Sequence, residues 1–396
     1  MNSSKLKEIF GTQYSLDPLD CMVYSSDASQ IKGSAKAIVW PTGPEQIQKL
    51  VHYAVRTKLG LVARGAGTGC AGGAVPQDSI VVDMSRMNRI IDIDPDNHLV
   101  SVEPGVVAAD LNDRLDEYNM FFPIIPASHT TCQIGGMIAT DASGTRAVKY
   151  GRMSDWVRQL MIIDGTGKIL TLKREEDIKD FCGTEGILGI VIQAKLGITE
   201  QIKHSTLSIK TFDDVDKLVA QLDLYKASPA ITAIEYFNRT AAELSGLEHK
   251  YYLFAEFEDD SGDMKDPLRV EKLWSLRKGL GPALASCSYV VPEDPKIPHE
   301  NISKFIRWLD NHKVPAFGHI ATGIFHPRFK PNQERLIKEM FKEVRRLKGS
   351  VSGEHGIGLA KKKFFFEENK EAIQKLKDLK AKYDPEGILN RGKIYD

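Results

Sequence analysis

The pattern of apolar and polar positions divides the chain into two parts that differ in their predicted secondary structure. Up to about residue 200, short apolar runs of strand length alternate with amphipathic stretches of helical period. The runs predict strands at 38–40, 61–63, 79–84, 90–93, 99–102, 157–163 and 169–172, and the stretches predict helices at 44–57 and 107–118. From about residue 202, strands alternate with charged helices at 215–225, 270–278, 300–311, 332–347 and 367–382. This change predicts an inserted second domain.

The most distinctive segment is the glycine-rich run ARGAGTGCAGGAVP at 63–76, which lies between two predicted strands. Glycine lets backbone N–H groups approach a bulky anion, so the run is typical of a phosphate-binding loop. The spacing Gly67-x-Gly69-x-x-Gly72 matches the dinucleotide fingerprint, but that fingerprint requires a helix directly after the glycines. Here Pro76 and another strand follow. A Rossmann NAD site is therefore disfavoured, and a glycine-rich connection without ligand remains the alternative.

Composition narrows the function classes. A length of 396 residues indicates two or three domains, and 53 basic against 53 acidic residues disfavours a nucleic-acid-binding protein. No apolar leader and no stretch of transmembrane length is seen, so we expect a cytoplasmic protein. The five cysteines are widely spaced and form no C-x-x-C pair, which disfavours an iron–sulfur cluster in this chain. Electrons from any redox reaction would have to leave through another molecule.

Two histidine-bearing segments near the end, GHIATGIFHP at 318–327 and SGEHGIG at 352–358, suggest metal chemistry. A turn at 321–323 would bring His319 and His326 together, and Glu354 would complete a two-nitrogen, one-oxygen site suited to Zn²⁺, Mn²⁺ or Fe²⁺. The alternative is a pair of hydrogen-bonded structural histidines. His355 follows directly, and its imidazole is a candidate general base. The alternative for His355 is a hydrogen bond to the loop backbone.

Together, nine segments in this order resemble flavoproteins of the vanillyl-alcohol-oxidase type, in the branch of the glycolate oxidase FAD subunit and the D-lactate dehydrogenases. The matching segments are PTGPEQI (41–47), ARGAGTGCAGGAVP (63–76), VEPGV (102–106), CQIGGMIATDASGTRAVKYG (132–151), GTEGILGIV (183–191), LWSLRKGL (273–280), GHIATGIFHP (318–327), SGEHGIG (352–358) and DPEGILNRGKI (384–394). The resemblance covers nearly the whole chain.

The resemblance implies an α+β fold built from a PCMH-type FAD-binding domain, a smaller α+β cap domain and a C-terminal segment that returns to the flavin. The implied boundaries are an N-terminal helical segment at 1–32, the FAD-binding domain at 33–200, the cap at 201–335 and the C-terminal FAD-linked oxidase segment at 336–396.

The resemblance also implies which residues contact FAD. Around the pyrophosphate these are Arg64, Gly65, Ala66, Gly67, Thr68, Gly69, Gly72 and Gly73. Elsewhere along the cofactor they are Ile134, Gly135, Gly136, Gly144, Glu185, Gly186, Ile190 and Asn390. Some relatives attach FAD covalently to a histidine of the first loop. Thr68 stands at that position here, so we expect non-covalent FAD.

The implied activity is oxidation of a small D-2-hydroxy acid, D-lactate or glycolate, by hydride transfer to flavin N5. His355 and Arg277 match the catalytic positions, with Arg277 gripping the substrate carboxylate, and His319, His326 and Glu354 match the metal ligands. The expected electron acceptor is an iron–sulfur protein, a quinone or oxygen, and a peripheral membrane location through such a partner is left open. The alternatives are a non-catalytic FAD-binding subunit, a D-2-hydroxyglutarate-type enzyme and an alkyl-transferring relative.

The chain departs from the family pattern at the first histidine segment. Thr322 and Ile324 stand where relatives commonly have an acid and an amide, and an isoleucine cannot hydrogen-bond a substrate. Further along, the run 361–366 combines three lysines with three phenylalanines. It predicts solvated lysines before a buried helix face, with contact to a membrane surface or a redox partner as the alternative.

Overall fold

The computed structural model describes residues 3–368 and 370–394, which form a mixture of helices and strands. The helices are α1 (Ser3–Phe10), α2 (Pro18–Tyr24), α3 (Pro44–Thr57), α4 (Ala108–Asp116), α5 (Ile134–Thr140), α6 (Ala147–Tyr150), α7 (Met153–Trp156), α8 (Glu175–Phe181), α9 (Val215–Lys226), α10 (Arg239–Leu244), α11 (Pro267–Ser286), α12 (Ile302–Asn311), α13 (Glu334–Arg346), α14 (Lys362–Glu368) and α15 (Lys370–Tyr383). The strands are β1 (Tyr14–Ser15), β2 (Ala35–Val39), β3 (Gly60–Arg64), β4 (Ser79–Asp83), β5 (Ile90–Asp94), β6 (Leu99–Val102), β7 (Met120–Phe121), β8 (Val157–Asp164), β9 (Ile169–Leu172), β10 (Gly189–Gly197), β11 (Thr199–Glu200), β12 (Thr206–Phe212), β13 (Ile231–Phe237), β14 (Tyr251–Phe257), β15 (Val291–Pro292), β16 (Ala316–Gly318) and β17 (His326–Phe329).

The strands predicted in the first two hundred residues are confirmed within a few residues, but one predicted helix is too short. The helix predicted to end at residue 278 is α11, which instead continues through Gly279 and Pro282 to Ser286. Glycine and proline normally end a helix. Here the buried side chains of Leu280 and Leu284 belong to an apolar core, and this packing outweighs the local preference.

The chain forms two compact units, which do not follow a simple chain order. Unit 1 consists of Met1–Ala142, Arg152–Gln201 and His355–Asp396, and unit 2 consists of Ser143–Gly151 and Ile202–Glu354. Among the residues that are described, no helix has the length and apolar character needed to cross a membrane.

Unit 1 contains a four-stranded sheet in the order β1-β2-β4-β3, covered by α3. Pro44 in the first turn favours the start of α3, and the left-handed Lys58 follows its end. The apolar residues Ile47, Leu50, Val51 and Ala54 recur at helical spacing, are fully buried and pack in the core of unit 1. A five-stranded antiparallel sheet, β5-β6-β10-β8-β9, completes the unit together with the pair β7 and β11.

The glycine-rich loop joins two strands of the four-stranded sheet. Strands β3 and β4 are parallel neighbours, and residues 65–78 join them without a helix. Because parallel strands run in the same direction, the loop must carry the chain back from one end of the pair to the other. The predicted strand–loop–strand arrangement is confirmed.

Unit 2 is built on a six-stranded antiparallel sheet in the order β12-β14-β13-β16-β17-β15. Helix α11 packs on one face, against an apolar cluster that includes Phe237 and Phe317. The other face carries a second aromatic group, in which Phe325 contacts both Tyr236 and Phe305 of helix α12. Every residue of β13 is buried, so a charged side chain in this strand has to find its partners inside the protein.

The register of the central strands decides which side chains share the face under α11. Phe237 pairs with Phe317, and Phe317 pairs with His326. Residues opposite each other in an antiparallel pair lie on the same face. Continuing the first register by two residues sets Glu235 opposite His319, on that same face.

Candidate cofactor and metal sites

The backbone of the glycine-rich loop presents a row of unused hydrogen-bond donors. Among the residues that the structure describes, none accepts a hydrogen bond from the N–H groups of residues 65–73. Two of these groups belong to buried residues, Ala71 and Gly72. Because buried backbone N–H groups in proteins are nearly always paired, such a row is typical of an anion-binding loop.

The segment 356–360 lies directly against this loop. Leu359 and Ala360 both donate backbone hydrogen bonds to the carbonyl of Ala71, at 2.9 and 3.0 Å. Gly358 has a left-handed φ of 49°, and a Cβ at this position would lie 2.1 Å from the Ala71 carbonyl oxygen. Only glycine fits here, and the SGEHGIG segment thereby supports the loop.

The C-terminal segment holds the same loop through Asn390. Its amide Nδ2 donates to the carbonyl oxygens of Gly73, at 2.9 Å, and Glu185, at 2.6 Å. Its backbone N–H donates to Leu61 of β3 at 2.7 Å. Asn390 therefore ties together the glycine-rich loop, the turn at 183–186 and the first sheet.

Lys393 is a buried cation at this junction. Its Nζ donates to the carbonyl of Val75 and, at 3.3 Å, to Oδ1 of Asn390. Burial lowers the pKa of Lys393 to about 8, against the opposing effect of the Glu185 and Asp27 carboxylates. Lys361 is also buried, with 3 % of its surface exposed, so the prediction that it is solvated is wrong. Its charge favours ionisation of the buried Glu185.

The carboxylate of Glu185 is engaged by the protein itself. It accepts hydrogen bonds from the backbone N–H groups of Ile357, at 2.6 Å, and Gly358, at 2.9 and 3.0 Å. Burial raises the pKa of Glu185, and these two amides act in the opposite direction. The carboxylate joins the turn at 183–186 to the segment 356–358. Its predicted contact with FAD remains a prediction.

The other predicted FAD residues fall into three groups. Gly69, Gly136 and Gly186 have open space where a Cβ would project, as a surface that receives a ligand requires. Others are packed within the protein: Gly135 against Pro104, Ile134 and Ile190 in the apolar interior, and the Arg64 guanidinium against the Ser26 carbonyl at 2.7 Å and the ring of Tyr24. Gly144 lies in the 143–151 segment of unit 2. The unused amides and the open glycine faces fit an extended phosphate-bearing cofactor.

The second site lies in unit 2, where His319, His326 and Glu354 meet. One ligand atom from each lies within 4.8 Å of the others. Glu354 Oε1 is 3.7 Å from His319 Nε2 and 3.2 Å from His326 Nε2, and the two rings are nearly perpendicular. Both histidines are buried. Two imidazoles and one carboxylate fit a divalent ion such as Zn²⁺, Mn²⁺ or Fe²⁺.

The local sequence explains how the two histidines meet. His319 follows β16, and a 3-10 turn at Ile320–Thr322 returns the chain to β17, which begins at His326. Gly323 ends this turn with a left-handed φ of 75°. Thr322 Oγ1 donates to the His319 carbonyl at 3.0 Å, and Ile324 is buried against Gly353. The turn predicted at 321–323 is confirmed.

Glu354 is placed by two side chains that the sequence patterns did not identify. Asp294 Oδ2 accepts hydrogen bonds from the backbone N–H groups of Gly353, at 3.1 Å, and Glu354, at 2.8 Å. Ser143 Oγ donates to Glu354 Oε2 at 2.7 Å. Because Ser143 holds Oε2, the other oxygen of the same carboxylate, Oε1, faces the two histidines.

Glu235 connects this cluster to Arg277. Its Oε1 accepts a hydrogen bond from His319 Nδ1, and its Oε2 accepts one from Arg277 Nε. Burial opposes ionisation of Glu235, but the charges of Arg277 and His319 outweigh it and lower the pKa of this carboxyl. Burial also lowers the pKa of His319, but the carboxylates of Glu235 and Glu354 outweigh this effect and raise it above its ordinary value.

Sequence reasoning missed Glu235, Asp294 and Ser143, and only Glu235 left a clear signal. It is the single charged residue in the apolar run ITAIEYF of β13. An acid in such a run indicates a buried partner, but not which partner. His355, the predicted base, follows Glu354 in the chain and is the first residue of the last segment of unit 1. It is partly buried, and its role remains a prediction.

Two known families match separate ranges of the chain. Residues 35–173 match the FAD binding domain family, and residues 248–394 match the C-terminal domain of FAD linked oxidases. The chain is thus a flavin-dependent oxidoreductase with FAD as its cofactor. The resemblance to FAD-linked flavoproteins is confirmed, and so is the α+β fold with a PCMH-type FAD-binding domain.

Three relatives illustrate the similarity. D-2-hydroxyglutarate dehydrogenase of Stutzerimonas stutzeri is 26% identical over 91% of this chain and 90% of its own length. Glycolate oxidase subunit GlcD of Bacillus subtilis is 27% identical over 94% of this chain and 92% of its own. A putative mitochondrial D-lactate dehydrogenase of Schizosaccharomyces pombe is 26% identical over 96% and 86%.

A solved structure of alkyldihydroxyacetonephosphate synthase has the same fold. It superposes with a TM-score of 0.75, covering 99% of this chain and 85% of the synthase chain at 17% identity.

Proposed function

We propose that the protein is an FAD-dependent dehydrogenase that oxidises a small D-2-hydroxy acid, D-lactate or glycolate, to the 2-oxo acid. The observation that carries this proposal is the buried cluster in which His319, His326 and Glu354 are linked to Arg277 through Glu235. The three ligands can hold a metal ion that would contact a substrate hydroxyl, and the guanidinium of Arg277 can bind a substrate carboxylate. A 2-hydroxy acid carries these two groups on adjacent carbons.

The roles of the unit 2 residues follow from their chemistry. A divalent ion held by His319, His326 and Glu354 would polarise the substrate hydroxyl and make its proton more acidic. Arg277 binds the substrate carboxylate through its Nη edge, because its Nε is already bonded to Glu235. Together the two groups orient the Cα–H bond.

The roles of the unit 1 residues complete the reaction. His355 removes the hydroxyl proton, a step for which imidazole is the side chain that enzymes use most often. FAD, when bound, would accept the Cα hydride. The substrate thereby loses one proton and one hydride and becomes the 2-oxo acid. Residues 65–73 bind the cofactor pyrophosphate through their backbone N–H groups.

The electrons then pass to a separate acceptor, an iron–sulfur protein or a quinone. The relative from Bacillus subtilis is named as a subunit, which supports a partner-dependent reoxidation. We propose that this protein delivers its electrons to another polypeptide or to a quinone.

A substrate panel with a dye acceptor tests the proposal. Purified protein is assayed with D-lactate, glycolate, D-2-hydroxyglutarate and L-lactate, and the 2-oxo product is identified by mass spectrometry. We expect turnover of D-lactate or glycolate, and a loss of about 100-fold or more in Glu354→Gln, because a metal ligand is worth several kcal/mol of barrier. The matched control is Glu248→Gln, which removes an exposed acid of unit 2.

The outcomes separate the alternatives. Turnover restricted to D-2-hydroxyglutarate would replace the proposed substrate with the dicarboxylate. FAD binding without turnover of any acid, in protein that contains metal, would contradict the dehydrogenase and indicate a non-catalytic subunit. FAD binding without metal and without turnover would favour chemistry of the alkyl-transferring kind.

A further inference from the structure

Glu235 is a charged residue in a place where a charge is costly. It lies in the middle of β13, and its side chain is fully buried. An ionised carboxylate in an apolar interior is retained only when it is paired and hydrogen-bonded. Its partners therefore indicate what the residue does.

The two carboxylate oxygens of Glu235 serve different partners. Oε1 accepts from His319 Nδ1, and Oε2 accepts from Arg277 Nε. One rigid group thus holds a predicted metal ligand and the predicted carboxylate-binding residue, which come from distant parts of the chain. Glu235 lies in β13, His319 directly follows the neighbouring strand β16, and helix α11 supplies Arg277.

The hydrogen bond to His319 selects its tautomer. A carboxylate only accepts hydrogen bonds, so the bonded nitrogen Nδ1 must carry a proton. In the neutral ring this leaves the lone pair on Nε2, the atom that lies 3.7 Å from Glu354 Oε1. Nε2 is therefore the nitrogen available to a metal ion. Carboxylate partners of this kind orient metal-binding histidines and raise their basicity.

The hydrogen bond to Arg277 selects an orientation of its guanidinium. The group lies over the ring of Phe317, with Cζ 4.6 Å from the ring centroid, and Nε is bonded to Glu235. Within the described part of the chain, no acceptor is found for the two Nη groups. The Nη edge is the part of the fork that can bind a carboxylate bidentately.

We propose that Glu235 is a positioning residue that fixes both the metal-binding tautomer of His319 and the ligand-binding orientation of Arg277. This inference rests on the proposed function, because it assigns Glu235 to the same metal and carboxylate site. Loss of the Glu235 charge therefore weakens metal binding and substrate binding together.

The test compares two buried glutamates of the same sheet. In Glu235→Gln the side-chain amide can accept only one of the two hydrogen bonds, and its NH₂ group faces the other donor. Glu256 of β14 is the matched control. It is also buried and paired with an arginine, Arg146, at 2.8 Å, and it contacts no predicted metal ligand among the described residues. Glu256→Gln removes the same charge without touching the cluster.

Metal affinity is the primary readout, measured by chelator competition with Mn²⁺ and Zn²⁺ on metal-free protein that retains FAD. We expect Glu235→Gln to bind the metal about 10- to 100-fold more weakly than wild type. Glu256→Gln should bind it within about twofold of wild type. The KM for the hydroxy acid should rise in Glu235→Gln even at saturating metal, because Arg277 is no longer oriented.

The results distinguish this inference from the proposed function. If wild type binds no metal, the proposed function fails. If wild type and Glu256→Gln bind metal and Glu235→Gln binds it equally well, the inference fails while the function stands.

A measurement on wild type covers the case in which Glu235→Gln does not fold. Long-range ¹H–¹⁵N NMR of the His319 ring in Zn²⁺-loaded protein should show a protonated Nδ1 and a metal-bound Nε2. The opposite assignment would overturn the inference.

Discussion

Replacing Asn390 with alanine tests whether the C-terminal segment holds the glycine-rich loop in place. The substitution removes the donor to the carbonyl oxygens of Gly73 and Glu185. A buried acceptor left without a partner costs about 1–3 kcal/mol, so the pair should cost about 3 kcal/mol. Asn390 also has a left-handed φ of 41°, and alanine in this region costs about 1 kcal/mol more. The expected total loss is about 4 kcal/mol.

Asn119→Ala separates these two contributions. Asn119 also has a left-handed backbone, with φ 55°, but it is exposed and its side chain forms no hydrogen bond with the described residues. Asn119→Ala should cost only the backbone contribution of about 1 kcal/mol. Both positions lie in unit 1, so the same measurement applies to both.

Hydrogen exchange followed by mass spectrometry is the appropriate assay. The slowest amides of β4 and β10 report the free energy of unfolding of unit 1 separately from that of unit 2. The flavin retained after desalting gives a second readout, and Asn390→Ala should retain less FAD than Asn119→Ala. Equal destabilisation by the two substitutions, with equal flavin content, would refute the role assigned to Asn390.

Three further predictions concern the cluster in unit 2. Arg277→Lys should raise the KM for the hydroxy acid about 10- to 100-fold in steady-state assays, because lysine lacks the planar fork; an unchanged KM would contradict carboxylate binding by Arg277. Ser143→Ala should weaken metal binding about tenfold in chelator competition, because Glu354 Oε2 loses its donor; equal affinity would show that this hydrogen bond does not matter. In metal-free protein the pKa of His319 is raised, so the protonated ring stabilises the folded state. This contribution is fully present below the ordinary histidine pKa of about 6.5 and is lost as the pH rises through the higher pKa of the folded state. The melting temperature of wild type should therefore fall over this range relative to that of His319→Gln, and parallel curves would disprove the shift.

Local patterns were sufficient for much of the fold and for part of the metal cluster. The glycine-rich loop could be separated from a Rossmann site because Pro76 and a strand follow it. The turn that joins His319 to His326 could be predicted because Gly323 permits the left-handed residue that ends it. Each of these predictions depends only on residues that are close together in the sequence.

The remaining contacts depend on pairings between distant segments. The meeting of Glu235 with His319 depends on the register of β13 against β16, and nothing in either segment specifies that register. The end of α11 was predicted too early because the burial of Leu280 and Leu284 is a tertiary effect. The run of three lysines predicts a solvated Lys361, whereas the side chain is buried in unit 1, where its charge favours ionisation of Glu185.

If this flavoprotein oxidises a 2-hydroxy acid at a metal-dependent site, the flavin must be reduced by the acid only when metal is present. Anaerobic mixing of FAD-loaded protein with D-lactate or glycolate, with and without prior removal of metal by a chelator, measures this reduction. We predict rapid bleaching of the flavin absorbance in the metal-containing sample, at least about 100-fold slower bleaching after chelation, and recovery when Zn²⁺ or Mn²⁺ is restored. Equal bleaching rates with and without metal, or no bleaching by either acid in metal-containing protein, would contradict the account.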